Sequence, residues 1–293
     1  MLYCNQYLVP QTLHEAFDFI NTNQGSYKVL AGATDLLPWA REGRGGDVSF
    51  ESVIDISKIT DMREWHIQGN RISLGANVTM QQLLENPFLR KHMPVMAKSA
   101  IWFADDQIRE QATLGGNLVN ASPAADTSPP MLAMNAELTL KRKHKGTIKQ
   151  REISLDKFVI GPGKTILEEG ELVTRVKCDS MTGYGSAFEK VGHRRSLVIS
   201  TVCLAVLLTL SNDGSKFEDV RLALGGVGPV PIRLYESESC LKNEAVETEL
   251  INKSSELAVA HVQSRTRQEY RREVVFNFVK RGIIEAIKDY GTN

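Results

Sequence analysis

Thr113-Leu-Gly-Gly-Asn117, followed at once by Ala121-Ser-Pro-Ala-Ala-Asp126, is the stretch on which the reading of this chain turns. Between Phe103 and Pro130 apolar periodicity fades, and Gly, Ala, Ser, Asn, Asp and Pro take over. A long stretch of that kind inside a compact domain is functional or disordered. A helical run before it and the strand pattern Ala136-Glu-Leu-Thr-Leu140 after it make an ordered ligand loop the expectation. The adjacent glycines Gly115 and Gly116 permit backbone conformations that bring N–H groups onto a phosphate. Leu114 lies inside the same motif, and Thr113, Asn117, Ser122 and Asp126 add short polar side chains. A carboxylate at Asp126 suits a sugar or ribityl hydroxyl, whereas it would repel phosphate. A glycine turn with local Ser and Asn hydrogen bonds is the plainer alternative.

A second small-residue loop stands upstream. Tyr27-Lys-Val-Leu-Ala31 reads as a short strand, and the segment Val29-Leu-Ala-Gly-Ala-Thr-Asp-Leu36 carries it into a loop. Such a loop exposes N–H groups and lets a pyrophosphate approach without side-chain clash. It reads equally as a tight turn at Gly32. It is not a dinucleotide fingerprint, because G-x-G-x-x-G is absent and no helix start follows on the usual pattern.

Working outward, Thr12-Leu-His-Glu15 and Thr79-Met-Gln-Gln82 are capping boxes that open helices. The chain therefore reads as helix first, then strand. Val53-Ile-Asp-Ile56 is a strand, and Trp65-His-Ile with Arg71-Ile-Ser-Leu-Gly75 forms a hairpin about Gly69-Asn70. A pause at Asp179-Ser-Met-Thr-Gly183 divides the chain into residues 1–178 and 183–293. Beyond it come strands at about 187–191, 197–210 and 217–224, then helices at about 247–262 and 268–290. The result is two α+β domains of unequal size.

A formal net charge of zero over 293 residues argues against a nucleic-acid partner, which needs a basic excess. Cys4, Cys178, Cys203 and Cys240 are scattered with no Cys-x-x-Cys pair, so they seed no iron–sulfur or zinc site and read as free thiols in the cytoplasm. The opening residues carry no signal-peptide pattern. The longest apolar stretch, residues 197–210, is interrupted by Ser200, Thr201 and Thr209 and is shorter than the ~20 residues of a membrane span.

Taken together, the two loops resemble those of the FAD subunit of the molybdenum hydroxylases, the family of xanthine dehydrogenase and aerobic carbon-monoxide dehydrogenase. There the flavin lies between loops of the types A-G-G-T-D and T-[IL]-G-G-N-…-A-S-P-…-D, which stand here as Ala31-Gly-Ala-Thr-Asp35 and Thr113 to Asp126. The resemblance extends in order through Val53-Ile-Asp-Ile-Ser57, Gly161-Pro-Gly-Lys164, Gly170-Glu-Leu-Val173, Phe188-Glu-Lys190, Arg194 to Ser200, Pro231-Ile-Arg233 and Glu269-Tyr-Arg-Arg272. It covers nearly the whole chain.

The resemblance implies a two-part FAD-binding domain of the vanillyl-alcohol-oxidase-like (PCMH) type over residues 1–178, then a smaller α+β domain over 183–293. It implies non-covalent FAD, with Val29, Leu30, Ala31, Gly32, Ala33, Thr34, Asp35 and Leu36 and the Thr113–Asn117 segment holding the pyrophosphate and its surroundings. Asp126 would accept from a hydroxyl of the nucleotide, Phe103 would pack on the isoalloxazine, and Val173 and Lys190 would lie near the ring. Partners would be a [2Fe–2S] subunit and a molybdopterin-binding large subunit, with NAD⁺ among the candidate acceptors. The oxidised substrate would be a purine such as xanthine, or another N-heterocycle or aldehyde. Two departures stand out. Ala33 replaces the usual second glycine, at a cost of roughly 1 kcal/mol if its φ is positive. Asp105-Asp106 brings acid to the ring side. A stand-alone flavin oxidase would need its own base, and His66, His193 and His261 form no constellation. A scaffold that has lost flavin is the remaining alternative.

Overall fold

The structure is a computed structural model that describes every residue except 1, 24, 44–47, 195, 196 and 293. Arg195 and Ser196 of the Arg194 to Ser200 motif therefore lie outside the described residues. The chain opens with strand β1 (Leu2–Leu8), not with a helix. Its residues are exposed or half-exposed throughout, so it carries no apolar alternation for a pattern to catch. Helix α1 (Leu13–Thr22) follows, and Thr12 caps it by accepting from the Glu15 N–H at 3.2 Å. The Glu15 carboxylate closes on the N–H of Gln11, 2.7 Å away, not on that of Thr12. Strand β2 (Tyr27–Leu30), helix α2 (Leu36–Glu42) and strand β3 (Val48–Asp55) complete a parallel sheet in the order β1-β3-β2. Helix α2 is a correction to the sequence reading. Asp35 makes no side-chain cap there, which is why the helix start was silent.

The hairpin β4 (Trp65–Gln68) and β5 (Arg71–Gly75) forms as read. Helix α3 (Met80–Glu85) opens on a complete capping box, and α4 (Pro87–His92) and α5 (Pro94–Ile101) follow, each with proline in its first turn. The ligand loop expected between residues 103 and 130 is instead largely helical: α6 (Asp106–Gln111), α7 (Leu114–Asn120) and α8 (Ser128–Ala133). Such short helices show no full apolar period and are marginal alone. Tertiary bonds hold them, among them Met80 N–H to the Ala112 carbonyl at 2.9 Å and Leu114 N–H to that of Val78 at 2.9 Å. A second hairpin, β6 (Glu137–His144) and β7 (Thr147–Ser154), leads through α9 (Leu155–Phe158), β8 (Val159–Gly161) and β9 (Lys164–Thr165) to β10 (Leu172–Asp179). These build a five-stranded antiparallel sheet, β4-β5-β10-β6-β7.

The third sheet is antiparallel: β11 (Gly185–Val191), β12 (Val202–Leu210), β13 (Phe217–Gly225) and β14 (Ile232–Arg233). Strand β12 starts only at Val202, because Leu197 sits at a φ of 49° outside the β region. Its nearly unbroken apolar run has a direct cause. Cys203, Ala205 and Leu207 face the large core of the first two sheets, while Leu204, Val206 and Leu208 face a second core. A strand covered on both faces loses its alternation. Helices α10 (Tyr235–Leu241), α11 (Thr248–Val259) and α12 (Gln268–Tyr290) supply the cover, with α12 against β11 and β12. Helix α10 had no sequence signal; Ser237 and Ser254 tie it to α11 by reciprocal bonds of 2.9 and 3.1 Å. Among the described residues no helix is long and apolar enough to cross a membrane.

Candidate functional site

A cleft of about 700 Å³ opens along β2, the loop after it, α7 and the start of β10. The whole segment from Val29 to Leu36 lines it, and so do Phe103 and Val173. Thr113, Gly115, Gly116 and Asn117 line it from the other wall. The fold thus brings together two segments separated by about eighty residues of sequence. Leu114, Ser122, Asp126 and Lys190 do not line it.

The two walls offer different chemistry. In the first loop Ala33 holds a φ of 56°, the left-handed conformation that turns successive N–H groups to one side. Among the described residues, the N–H groups of Gly32, Ala33, Thr34 and Asp35 have no hydrogen-bond partner. They are donors free for a ligand. The second wall is different from the expectation. Leu114 N–H bonds the Val78 carbonyl, Gly115 N–H that of Ala76 at 2.8 Å, and Gly116 N–H the Thr113 hydroxyl at 3.1 Å. Those donors are spent within the protein. Neither Gly115 nor Gly116 has a positive φ. Gly115 is required by close approach instead: a Cβ there would stand 2.6 Å from that of Ala76. Gly32 does the same for the first loop, where a Cβ would fall 1.9 Å from the Gln111 carbonyl oxygen. Glycine at these two positions lets the first loop touch the end of α6 and lets α7 pack on the turn after β5.

Asp35 and Asn120 link the walls further on, amide to carboxylate at 3.0 Å, and the surrounding walls hold the Asp35 carboxyl above its usual range. At another part of the rim Tyr27 accepts from the Gly170 N–H at 3.1 Å. Glu171, beside it, pairs with Arg151 at 2.7 Å, and that bond keeps its carboxyl below the usual range. Ile56, Met62, Asn77 and Trp39 also line the cleft; Ile56 lies in the Val53-Ile-Asp-Ile-Ser57 motif, and the other three carried no motif signal. Only their position after β2, β3 and the first hairpin places them there. The acid expected on the ring side does not line the cleft: Asp105 caps α6, and Asp106 pairs with the buried Arg109.

Behind Phe103, Asp126 and Lys190 meet at 2.6 Å, with side chains 9% and 4% exposed. Ser200 donates to the other Asp126 oxygen at 2.5 Å, and Lys190 also donates to the Trp102 carbonyl at 3.1 Å. Burial pushes the Asp126 carboxyl up, opposed by Lys190 and Ser200. In this arrangement the Asp126 carboxylate is committed to protein donors. Ser122 accepts from the Ala124 N–H at 3.3 Å and shapes the turn. His66 and His193 are held by Arg175 and Arg267 at 3.1 and 3.2 Å, away from the cleft. The site can bind an elongated, phosphate-bearing ligand; among the described residues it presents no acid–base constellation.

Residues 3–178 match the family model described as the FAD binding domain in molybdopterin dehydrogenase, and residues 186–286 match the CO dehydrogenase flavoprotein C-terminal domain. The chain is 28% identical over 287 residues to the xanthine dehydrogenase FAD-binding subunit of Escherichia coli O157:H7, covering 96% of this chain and 95% of that one. It is 25% identical to the carbon monoxide dehydrogenase medium chain of Hydrogenophaga pseudoflava, with 95% of each covered. Among solved structures it superposes on reconstituted CO dehydrogenase from Oligotropha carboxidovorans with a TM-score of 0.88 at 26% identity, over 97% of this chain and 98% of that one.

Proposed function

Since the chain belongs to the family of the FAD-binding domain in molybdopterin dehydrogenases, we propose that it relays electrons from a partner's [2Fe–2S] clusters through FAD to an external acceptor. The partners are an iron–sulfur subunit and a molybdopterin-binding large subunit. The observation that carries this reading is the row of free N–H groups from Gly32 to Asp35 in a cleft large enough for a dinucleotide. Those donors receive the pyrophosphate. Phe103 lines the cleft, and the buried Lys190–Asp126 pair is tied to its neighbour through the Trp102 carbonyl, so the ammonium acts on the ring as one half of an ion pair. When bound, FAD supplies a redox centre able to exchange electrons singly or in pairs. Residues 1–178 form the flavin-holding unit and residues 183–293 the smaller unit that packs behind it. Cys178 and Cys203 are buried, and burial pushes both thiols up, away from the thiolate that a cluster would need. The clusters belong to the partner. A purine such as xanthine, or another N-heterocycle or aldehyde, is the substrate of the complex, NAD⁺ is a candidate acceptor, and the complex works in the cytoplasm.

Ala33→Asp tests the site. Aspartate adopts the left-handed conformation at least as readily as alanine, so the fold is kept. A carboxylate about 4 Å from phosphate costs about 4 kcal/mol at an effective dielectric of roughly 20, about a thousandfold in affinity. Acid precipitation of the wild-type chain releases yellow FAD to the supernatant, and the variant comes out colourless with an unchanged far-ultraviolet spectrum. Normal FAD content in Ala33→Asp removes the pyrophosphate from this loop.

A further inference from the structure

The motif Glu269-Tyr-Arg-Arg272 lies at the start of α12, outside the cleft, and the proposed function gives it nothing to do. Its Arg271 is nonetheless committed. The guanidinium donates to the carbonyls of Thr201 and of Gly226, and its Nε donates to the Thr266 carbonyl at 3.1 Å. Among the described residues no carboxylate forms an ion pair with it. A cation whose hydrogen bonds, among the described residues, all go to carbonyls fixes backbone, because a guanidinium presents several donors in one rigid plane.

The backbone it fixes reaches the candidate site by two routes. Gly226 donates its N–H to the Pro123 carbonyl at 2.8 Å, and so holds the turn that leads into Asp126. Thr201 follows Ser200, whose hydroxyl donates to Asp126 at 2.5 Å. Asp126 in turn holds Lys190, which also donates to the Trp102 carbonyl, next in the chain to the cleft-lining Phe103. One guanidinium therefore clamps the start of β12 to the end of β13, and both clamped ends bear on the same aspartate.

We propose that Arg271 is a positioning residue that, through Thr201 and Gly226, holds the Ser200–Asp126–Lys190 group in register with the cofactor cleft. This rests on the reading of that cleft as the FAD site. The role makes a demand that simple stability does not. Releasing the clamp lets the Lys190 ammonium shift relative to the flavin, and a displaced charge changes the free-energy difference between oxidised and reduced ring.

The test uses the full chain carrying FAD, with Arg271→Gln, Arg271→Lys, Ser200→Ala and, as a control on the same helix, Arg272→Gln. The flavin midpoint potential is measured by spectroelectrochemistry and FAD release by the return of free-flavin fluorescence. Arg271→Gln shifts the potential and speeds release about tenfold, the effect of losing a charge-assisted hydrogen bond. Arg271→Lys, which keeps the charge and one donor direction, recovers part of both. Ser200→Ala, at the far end of the relay, moves the potential in the same direction, and Arg272→Gln leaves it in place. If Arg271→Gln lowers only the melting temperature, with potential and release as in the wild type, the positioning role is overturned. Should that variant fail to fold, Ser200→Ala with a wild-type potential overturns it equally. A wild-type chain that binds no FAD would remove the flavin reading itself, an outcome distinct from either.

Discussion

Ala33 sits at a φ of 56° on the cleft, at the place of the second glycine in the A-G-G-T-D motif that its loop resembles. An L-residue with a Cβ is strained there by roughly 1 kcal/mol. The freedom glycine adds to the unfolded chain offsets about 0.4–1 kcal/mol of that gain, so Ala33→Gly leaves the thermal midpoint within about 2 °C of the wild type and retains FAD; a larger fall would show that alanine is not strained there. The sequence exposed this residue as a departure, and the structure supplied the conformation that makes it costly. At Gly115 the reverse happened. The residue is needed for its missing Cβ against Ala76 rather than for an unusual backbone angle, a fact about a neighbour 39 positions away that no local pattern contains.

Elements that face water or rely on neighbours were the ones the sequence concealed. Strand β1 is held to β3 by its parallel ladder and by three side-chain bonds, Asn5 to Glu51 at 2.8 Å, Tyr7 to Asp55 at 2.7 Å and Ser52 to Gln6 at 3.4 Å. Partial burial and the Asp55 carboxylate push the Tyr7 phenol up to about 12. A pKa raised above the unfolded value of 10.0 means that the bond contributes fully below pH 10 and is lost as pH rises through about 12. The stability difference between wild type and Tyr7→Phe, followed by denaturant titration, therefore closes across that window; a constant difference would show that the phenol proton has no part in it. Helix α7 depends on the Thr113 cap, and Thr113→Ala costs about 1 kcal/mol. Its seven residues, glycine-rich and bonded to Ala76 and Val78, look like loop in the sequence because their stability comes from outside the helix.

At the scale of the molecule, the buried Asp126–Lys190 pair joins the segment after α7 to strand β11. Removing one partner strands a charge in the interior, at about 3 kcal/mol. Lys190→Met and Asp126→Asn each destabilise by that amount in chemical denaturation, and the double variant loses less than the sum; additive losses would show that the pair does not couple the two units. What the sequence alone determined was the set of segments with strong local chemistry: the helix cap at Thr12 and the capping box at Thr79, the hairpin at Gly69, the long stripe of α12, and the two small-residue loops whose resemblance pointed to FAD. These are legible because period, turn and cap chemistry act between residues a few positions apart. Only the tertiary structure decided which loop keeps its N–H groups free, since Val78 and Ala76 take those of α7 while Gly32 to Asp35 keep theirs. It alone turned Asp126 toward Lys190 and Ser200, and gave Arg271 the distant carbonyls of Thr201 and Gly226. A hydrogen bond between distant segments is fixed by where the sheets and helices bring their backbones, and that placement depends on the packing of both cores at once.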